Sequence, residues 1–290
     1  MPAQQGGGAS VRPGHTGGVA AGASAEAAEA YSGGVRASEV REMFERIAGV
    51  YDLMNTAMTA GLHHRWRARA AGLARVGPGD RVLDVASGTG DLAFELARRV
   101  SPGGEVVGCD FAEAMLARAR AKADRPAGGA AVVPRFERAD ALALPYEDGR
   151  FDAATVGFGA RNFSDLALGL SEMARVVRGG GRVVVLEITT PTRQPLAGFY
   201  ALWFDRLVPA LGAMLQLGLA ARARVRGHTP AGGAIAGAYS YLPSSVKRFP
   251  DPEALAAQMR DAGLEHVSYL LAAGGIIALH AGTVPAGAPR

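Results

Sequence analysis

Arg81-Val82-Leu83-Asp84-Val85-Ala86-Ser87-Gly88-Thr89-Gly90-Asp91 is the stretch on which the fold turns. Val82, Leu83 and Val85 suit a parallel strand buried on both faces. Gly88 and Gly90 let the main chain turn tightly against a ligand, and Leu92 to Val100 then reads as a helix. A second apolar stretch, Val106-Val107-Gly108-Cys109-Asp110, ends in a carboxylate 20 residues beyond Gly90. That is the reach at which an acid grips the ribose diol of a nucleoside in doubly wound folds.

Outward from this unit the same rhythm continues. Strands near 81–86 and 105–110 alternate with helices near 91–100 and 112–123, and apolar runs near 132–137, 151–158 and 182–188 supply three further strands. Pro252 to Ala262 reads as a helix, followed by strands at 265–271 and from Gly275 to His280. The expectation is an α/β fold: a doubly wound, mostly parallel, seven-stranded sheet with one antiparallel strand at its C-terminal end. Ahead of the sheet, Ser38 can cap a helix that places Val40, Met43, Phe44 and Ile47 on one face. A second helix around His63 to Val76 leads into the turn Gly77-Pro78-Gly79-Asp80, and together these form an N-terminal helical cover.

Residues 1–36 are rich in Gly, Ala and Ser and read as a disordered arm without the apolar core of a signal peptide. One domain is expected over 37–283, with a helical insertion at 196–235 and a flexible tail at 284–290. Within the insertion, Leu196 to Ala223 is apolar almost all round a helix. Asp205 and Arg206 at its middle, with Gly198, Pro209, Gly212 and Gly218, argue against a bilayer span. It reads as a buried or lid helix pair, or as a surface that meets a membrane or covers a long apolar substrate.

The chain has 290 residues, and 49% hydrophobic content is enough for a sizeable core. Its formal charge of +4 is spread without a run of basic residues, which leaves a nucleic-acid partner without support. A single cysteine, Cys109, excludes an internal disulfide and suits a buried thiol. The six histidines, at 15, 63, 64, 228, 266 and 280, show no spacing of the kind that binds zinc.

The glycine pattern discriminates among nucleosides. A dinucleotide site needs G-x-G-x-x-G so that a diphosphate can sit on the helix N-terminus, but here the third glycine position is Ala93 and Asp91 precedes it. A carboxylate at the helix start repels a diphosphate. S-adenosylmethionine carries no phosphate and bears a sulfonium cation, so Asp84 and Asp91 flanking the glycines suit it. The methyl donor is therefore favoured over NAD.

Further motifs extend along nearly the whole ordered chain. They are Met43-Phe44, Ile47-Ala48, Tyr51-Asp52, Asn55 and Trp66-Arg67; Met115-Leu116; Asp140-Ala141 with Leu144-Pro145; and Phe151-Asp152 leading to Phe158-Gly159-Ala160-Arg161-Asn162. Tyr239-Ser240-Tyr241-Leu242, Phe249-Pro250 and Gly274-Gly275-Ile276-Ile277-Ala278-Leu279-His280 complete the series. In this order and spacing the chain resembles the ubiquinone/menaquinone biosynthesis C-methyltransferase family. The first half of the series is shared by many methyltransferases, whereas FGxRN, YxYL with FP, and GGxxALH are particular to this one. Gly157 stands where many members have a serine, Ala160 replaces a usual leucine and Gly179 a usual proline, changes that bear on pocket shape rather than on reactive groups.

The resemblance implies methyl transfer from S-adenosylmethionine, without a metal, to a ring carbon of a prenylated quinol such as demethylmenaquinol. Such chemistry needs a holder for the phenolate that forms when a neighbouring hydroxyl loses its proton. Arg161 is the expected holder, because a guanidinium stays charged and its forked donors suit an oxyanion. Asn162 either orients a ring oxygen or caps the next helix. Tyr51 offers a hydroxyl and an aromatic face. For the donor, the expectations are Thr89 in the turn, main-chain access at Gly88 and Gly90, and Asp110 on the ribose. Asp140 with Ala141 falls beside the adenine, Gly157 at the wall, and Asp91 on the donor's ammonium group in preference to acting as a base through water. His280 and Tyr241 are held outside the catalytic set, His280 as hydrogen-bonded structure. The partners implied are a quinol and, transiently, the inner face of the membrane visited from the cytoplasm, with a homodimer left open. The competing readings are a methyltransferase of this fold acting on another small molecule and a non-catalytic donor-binding subunit.

Overall fold

The computed structural model describes residues 31–32, 35–125, 132–191 and 234–287, with single positions between 192 and 233. Most of the expected insertion at 196–235 and residues 1–30 of the expected arm lie outside the described residues. Within 31–36, Tyr31–Ser32 pairs antiparallel with Val35–Arg36.

Seven strands form one sheet: β1 (Arg81–Val85), β2 (Glu105–Asp110), β3 (Arg135–Arg138), β4 (Phe151–Gly157), β5 (Val177–Ile188), β6 (Glu265–Ala272) and β7 (Ile277–Thr283). Their order is β3-β2-β1-β4-β5-β7-β6. All neighbouring pairs are parallel except those of β7, which runs antiparallel to both β5 and β6. The expected doubly wound sheet with one reversed strand is therefore the observed one. Because side chains alternate across a strand, Val82, Val106 and Val184 face one way and pack with Leu92, Leu96 and Val100 of α4 (Asp91–Val100). Leu83, Val107 and Val185 face the other way, against Leu170 and Met173 of α6 (Leu166–Val176) and Leu255 and Met259 of α8 (Pro252–Asp261). Two apolar layers thus bury the central strands from both sides, which is why those strands read as unbroken apolar runs.

The N-terminal cover consists of α1 (Ala37–Ile47), α2 (Tyr51–Thr59) and α3 (Leu62–Leu73). α1 begins at Ala37, so Ser38 lies inside its first turn rather than capping it. Sequence reading named no helix over α2, and it placed the next around His63 to Val76, starting one residue late and ending three residues beyond Leu73. α1 is attached to the body by a carboxylate: Glu45 accepts the main-chain N–H groups of Glu113 (2.7 Å) and Ala114 (2.8 Å), the otherwise unpaired start of α5 (Glu113–Ala123). α7 (Ala234–Arg248) packs back on α1 despite Pro243 in its interior.

The strand order reverses between β2-β1 and β4-β5, and a crevice opens at the C-terminal ends of β1 and β4, as at such switch points generally. Replacing Glu45 by Ala removes the cap that joins cover to body. It is expected to lower stability by about 0.5–2 kcal/mol in urea denaturation, with no change in the denaturant slope.

Candidate active site

Beyond β1 the chain passes through three left-handed residues, Ala86 (φ +50°), Gly88 (φ +58°) and Gly90 (φ +87°). The two glycines serve different ends. A Cβ on Gly90 would stand 2.6 Å from the Phe136 ring, so packing forbids one, whereas a Cβ on Gly88 would meet nothing within 4 Å. Gly88 leaves open space on the wall of a cavity of about 660 Å³, whose floor also includes Ser87, Thr89, Asp110 and Gly157. Asp140 and Ala141 line one side, and Ser38, Arg41 and Phe44 of α1 cover it.

The carboxylates around this turn play distinct parts. Asp110 is buried, and its oxygens accept the N–H groups of Gly88 (2.8 Å) and Ala112 (2.9 Å). Burial pushes its carboxyl up to about 6 against the pull of those main-chain donors. A carboxylate has about four acceptor sites, so lone pairs remain for a diol. Asp84 is also pushed up to about 6 by burial, but its oxygens are taken by the hydroxyls of Ser87 (2.7 Å) and Thr155 (2.8 Å). It borders the cavity and braces the turn from behind. Asp140 is exposed and accepts the Leu142 N–H at 2.9 Å, a local turn and not a helix cap. At Gly157 a Cβ would come within 3.1 Å of Leu92, so the serine common in the resembled family needs Leu92 to give way here.

A chain of charges runs from the turn into the cover. Thr89 donates its hydroxyl to Asp52 of α2 (2.5 Å), and Lys122 of α5 bridges Asp52 (2.7 Å) and Asp91 (2.9 Å). Arg67 of α3 stands 3.6 Å from Asp91 and donates to His63 Nδ1. Burial by itself raises the Asp91 carboxyl, but Arg67 and Lys122 hold it below the usual carboxylate range. Since Arg67 can only donate, His63 is a neutral imidazole with its proton on Nε2, which faces the Thr56 hydroxyl at 3.3 Å. Burial, then Arg67 and His64, press its value down to about 4.

A second cavity of about 380 Å³ lies beside the first, with mostly apolar walls that include Met54, Trp66, Ile188 and Leu242. Phe44, Tyr51, Arg67 and Phe158 line both cavities, so Tyr51 stands at their junction. Phe158 has φ +63°, a costly conformation for a bulky residue, and its ring lies 5.3 Å from the Arg67 guanidinium. Arg161 lines the second cavity. Its Nη1 donates to Phe158 O (2.5 Å) and to Glu187 Oε1 (2.7 Å). Burial lowers the value of its guanidinium, but Glu187, Tyr51 and Tyr241 together outweigh this and raise it. Asn162 accepts the Tyr241 hydroxyl at 3.0 Å. It does not cap the following helix; Asp165 does, accepting the Leu168 N–H. His280 is buried with Nε2 at 2.8 Å from Pro252 O, the structural role expected of it.

The structure therefore gathers Thr89, Asp91, Asp110, Asp140, Ala141 and Gly157 at one cavity and Arg161 at the other, with Tyr51 between them and Asn162 reaching Tyr241. Sequence reading passed over Lys122 and met Asp52, Arg67 and Glu187 only as members of motifs, without a task at the site. It also found no metal-type cluster. Among the described residues, His63, His64 and Asp91 do offer ligand atoms within 4.8 Å of one another, from α3 and the start of α4. Arg67 and Lys122 place two cations on that group, a charge arrangement that opposes a divalent ion.

Among solved structures, the [4+2]-cyclase SpnF matches with a TM-score of 0.56 and 19% identity over 86% of this chain and 96% of its own. A SAM-dependent methyltransferase from Aquifex aeolicus matches with a TM-score of 0.51 and 16% identity over 75% and 89%. These share the fold. The sheet order and the crevice over the glycine turn at the switch point define a Rossmann-like fold of the methyltransferase type.

The family profile described as "ubiE/COQ5 methyltransferase family" matches residues 32–222 and 229–284. A demethylmenaquinone methyltransferase of Thermus thermophilus is 46% identical over 84% of this chain and 100% of its own length. A ubiquinone/menaquinone biosynthesis C-methyltransferase UbiE of Ectopseudomonas mendocina is 39% identical over 86% and 90%. The chain belongs to the ubiE/COQ5 methyltransferase family.

A diol binds the ionised form of Asp110, so donor affinity is expected to be full above about pH 7 and to fall as pH drops through about 6. Asp110→Ala should weaken donor binding at least about tenfold by calorimetry while the fold persists. Asp110→Asn should flatten the pH dependence; if the dependence survives, Asp84 is its source.

Proposed function

We propose that this protein transfers the methyl group of S-adenosylmethionine to a ring carbon of a prenylated quinol, of the demethylmenaquinol or ubiquinone-precursor type. One observation carries the reading: a polar cavity over the glycine turn adjoins an apolar cavity, and Tyr51, Phe44, Arg67 and Phe158 belong to both walls. A donor with a charged amino-acid end and an acceptor with a long apolar tail need such a pair. The names of the curated relatives, demethylmenaquinone methyltransferase and UbiE, agree with it.

When bound, S-adenosylmethionine supplies an electrophilic methyl on a sulfonium centre. The residues present fit it at two points, open space at Gly88 and spare acceptor sites on Asp110, while Asp91 would share its carboxylate between the ammonium group and Lys122 at 2.9 Å. Asp110 takes the ribose hydroxyls, Asp140 with Ala141 borders the adenine, and Thr89 and Gly157 shape the wall. On the acceptor side, Arg161 holds the ring oxygen as negative charge builds on it, and Tyr51 sets its ring against the flat acceptor. Asn162 lines the donor cavity and is held by Tyr241 of the acceptor wall, from which junction it would orient a second polar group of the ring. The apolar walls exclude water, which strengthens these interactions.

Purified protein incubated with labelled S-adenosylmethionine and demethylmenaquinol should place the label on a ring carbon, as located by mass spectrometry. Label on oxygen or nitrogen, or none with any quinol, would overturn the reading.

An acceptor of this kind dissolves in a bilayer, so the protein is read as cytoplasmic with transient contact at the membrane's inner face. No described helix is long and apolar enough to span a membrane. One observation supports surface contact. Leu53 and Leu62 are 57% and 43% exposed on the cover, and Leu62 also lines the acceptor cavity. Vesicles carrying the quinol should co-float with the protein, and Leu53→Glu with Leu62→Glu should reduce the floated fraction at least about threefold.

A further inference from the structure

Glu187 is a buried acid to which the quinol reading gives no task. At 1% exposure near the end of β5, it stands behind Arg161 and not on the wall of either cavity. Three donors fix it: Arg161 Nη1 (2.7 Å) and the Ile188 N–H (2.9 Å) on Oε1, and the Arg161 main-chain N–H (3.3 Å) on Oε2. The same Nη1 donates to the carbonyl of Phe158, itself held in the left-handed region. The guanidinium is thus anchored on its inner side by two acceptors from different segments.

We propose that Glu187 is the positioning residue for Arg161, aiming the guanidinium at the acceptor ring and cancelling its charge so that the phenolate is oriented without being over-stabilised. This rests on the quinol-methylation reading. Packing alone does not call for the pair, since two buried charges of this kind are no more stabilising than apolar side chains of similar volume. Charge balance does call for it. As the ring carbon bonds to the methyl, the ring oxygen loses negative charge; overall the ring gives up one proton for the methyl, and the electron pair of the broken bond stays on the donor sulfur. Negative charge on the oxygen is therefore greater in the reactant phenolate than at the transition state. A bare guanidinium would stabilise the reactant more and slow the step. A paired one keeps the directional hydrogen bond with little net charge.

Among the described residues facing Arg161 are Tyr51 of α2 and Tyr241 of α7, while Arg67 of α3 stands across the Phe158 ring; Glu187 is the carboxylate of the group.

The test compares pH–rate profiles at saturating donor. Glu187→Gln should shift the acid limb down by about one pH unit, because the unbalanced cation favours phenolate, and should lower the plateau kcat about tenfold without raising the acceptor KM. Glu187→Asp should recover part of the plateau. Benzoate, as an anionic ring probe, should bind Glu187→Gln measurably by calorimetry and the unaltered protein far less. An unmoved acid limb, or no gain in benzoate affinity, overturns the proposal. If Glu187→Gln does not fold, Arg161→Gln is compared with the Arg161→Gln/Glu187→Gln pair, which buries no lone charge. Coincident profiles support action through Arg161, and a further shift in the pair refutes it. The benzoate arm needs no turnover, so it stands apart from failure of the quinol assay itself.

Discussion

The hydrogen bond from the Gly88 N–H to Asp110 joins the ends of two neighbouring strands, and the site is arranged around it. β1 and β2 are in register along their length, from Arg81 opposite Glu105 to Val85 opposite Cys109, so the turn after β1 and the acid after β2 arrive side by side. The left-handed residues of the turn then aim main-chain N–H groups at the acid instead of continuing the ladder. A buried carboxylate satisfied in this way keeps its position and still has lone pairs to offer. Asp84, two strand positions earlier, performs the complementary task of bracing Ser87 and Thr155 from beneath. Ser87, Gly88 and Thr155 take their places from these two acids and the strands that carry them.

The cover packs on the body through apolar residues such as Ile47 and Met54 against Met115, and charged bonds fix its position over the floor. Glu45 caps α5, and Asp52 meets both Thr89 in the turn and Lys122 on α5. Tyr51 precedes Asp52, so the bond that fixes Asp52 also places the tyrosine at the junction of the two cavities. Donor side and acceptor side are therefore not independent. A change that loosens Asp52 moves an aromatic wall of the acceptor cavity.

The sheet was legible in the sequence because buried parallel strands are apolar on both faces, and the turn because its glycines and acids have few other uses. Where the pattern was weaker, the reading slipped. The third strand falls at Arg135–Arg138 rather than 132–137, since its outward residues are charged and only Phe136 is buried. The strand expected at 182–188 begins at Val177, because the glycine-rich Gly179-Gly180-Gly181 segment still pairs across a register shift. The final strand begins at Ile277 and not at Gly275, which closes a short 3-10 turn. α7 gave little signal because Pro243 and Gly237 interrupt its pattern. The site divides along the same line. Residues of the turn and of FGxRN announce themselves by local pattern, whereas Asp52, Lys122 and Glu187 look like ordinary charges on a helix or strand until the fold supplies partners remote in the chain, from Arg161 for Glu187 at |i−j| = 26 to Asp52 for Lys122 at |i−j| = 70.

Two buried or partly buried arginines stand at the acceptor cavity, and their partners differ in kind. Arg161 meets a carboxylate that is itself fully buried, so the two charges compensate in a low-dielectric setting where each alone would be costly. Arg67 is shared between a neutral imidazole, an aromatic face and, at 3.6 Å, the more accessible Asp91. Its positive charge is therefore less completely cancelled on the side of the turn. This asymmetry divides the two cavities electrostatically: the donor cavity keeps opposite charges in view of each other, as a zwitterionic ligand requires, while the acceptor cavity presents direction with little net charge to a neutral ring. On the proposed quinol reading, an uncharged acceptor enters without stripping water from a lone ion, and charge stands beside Arg161 only once a ring hydroxyl has lost its proton.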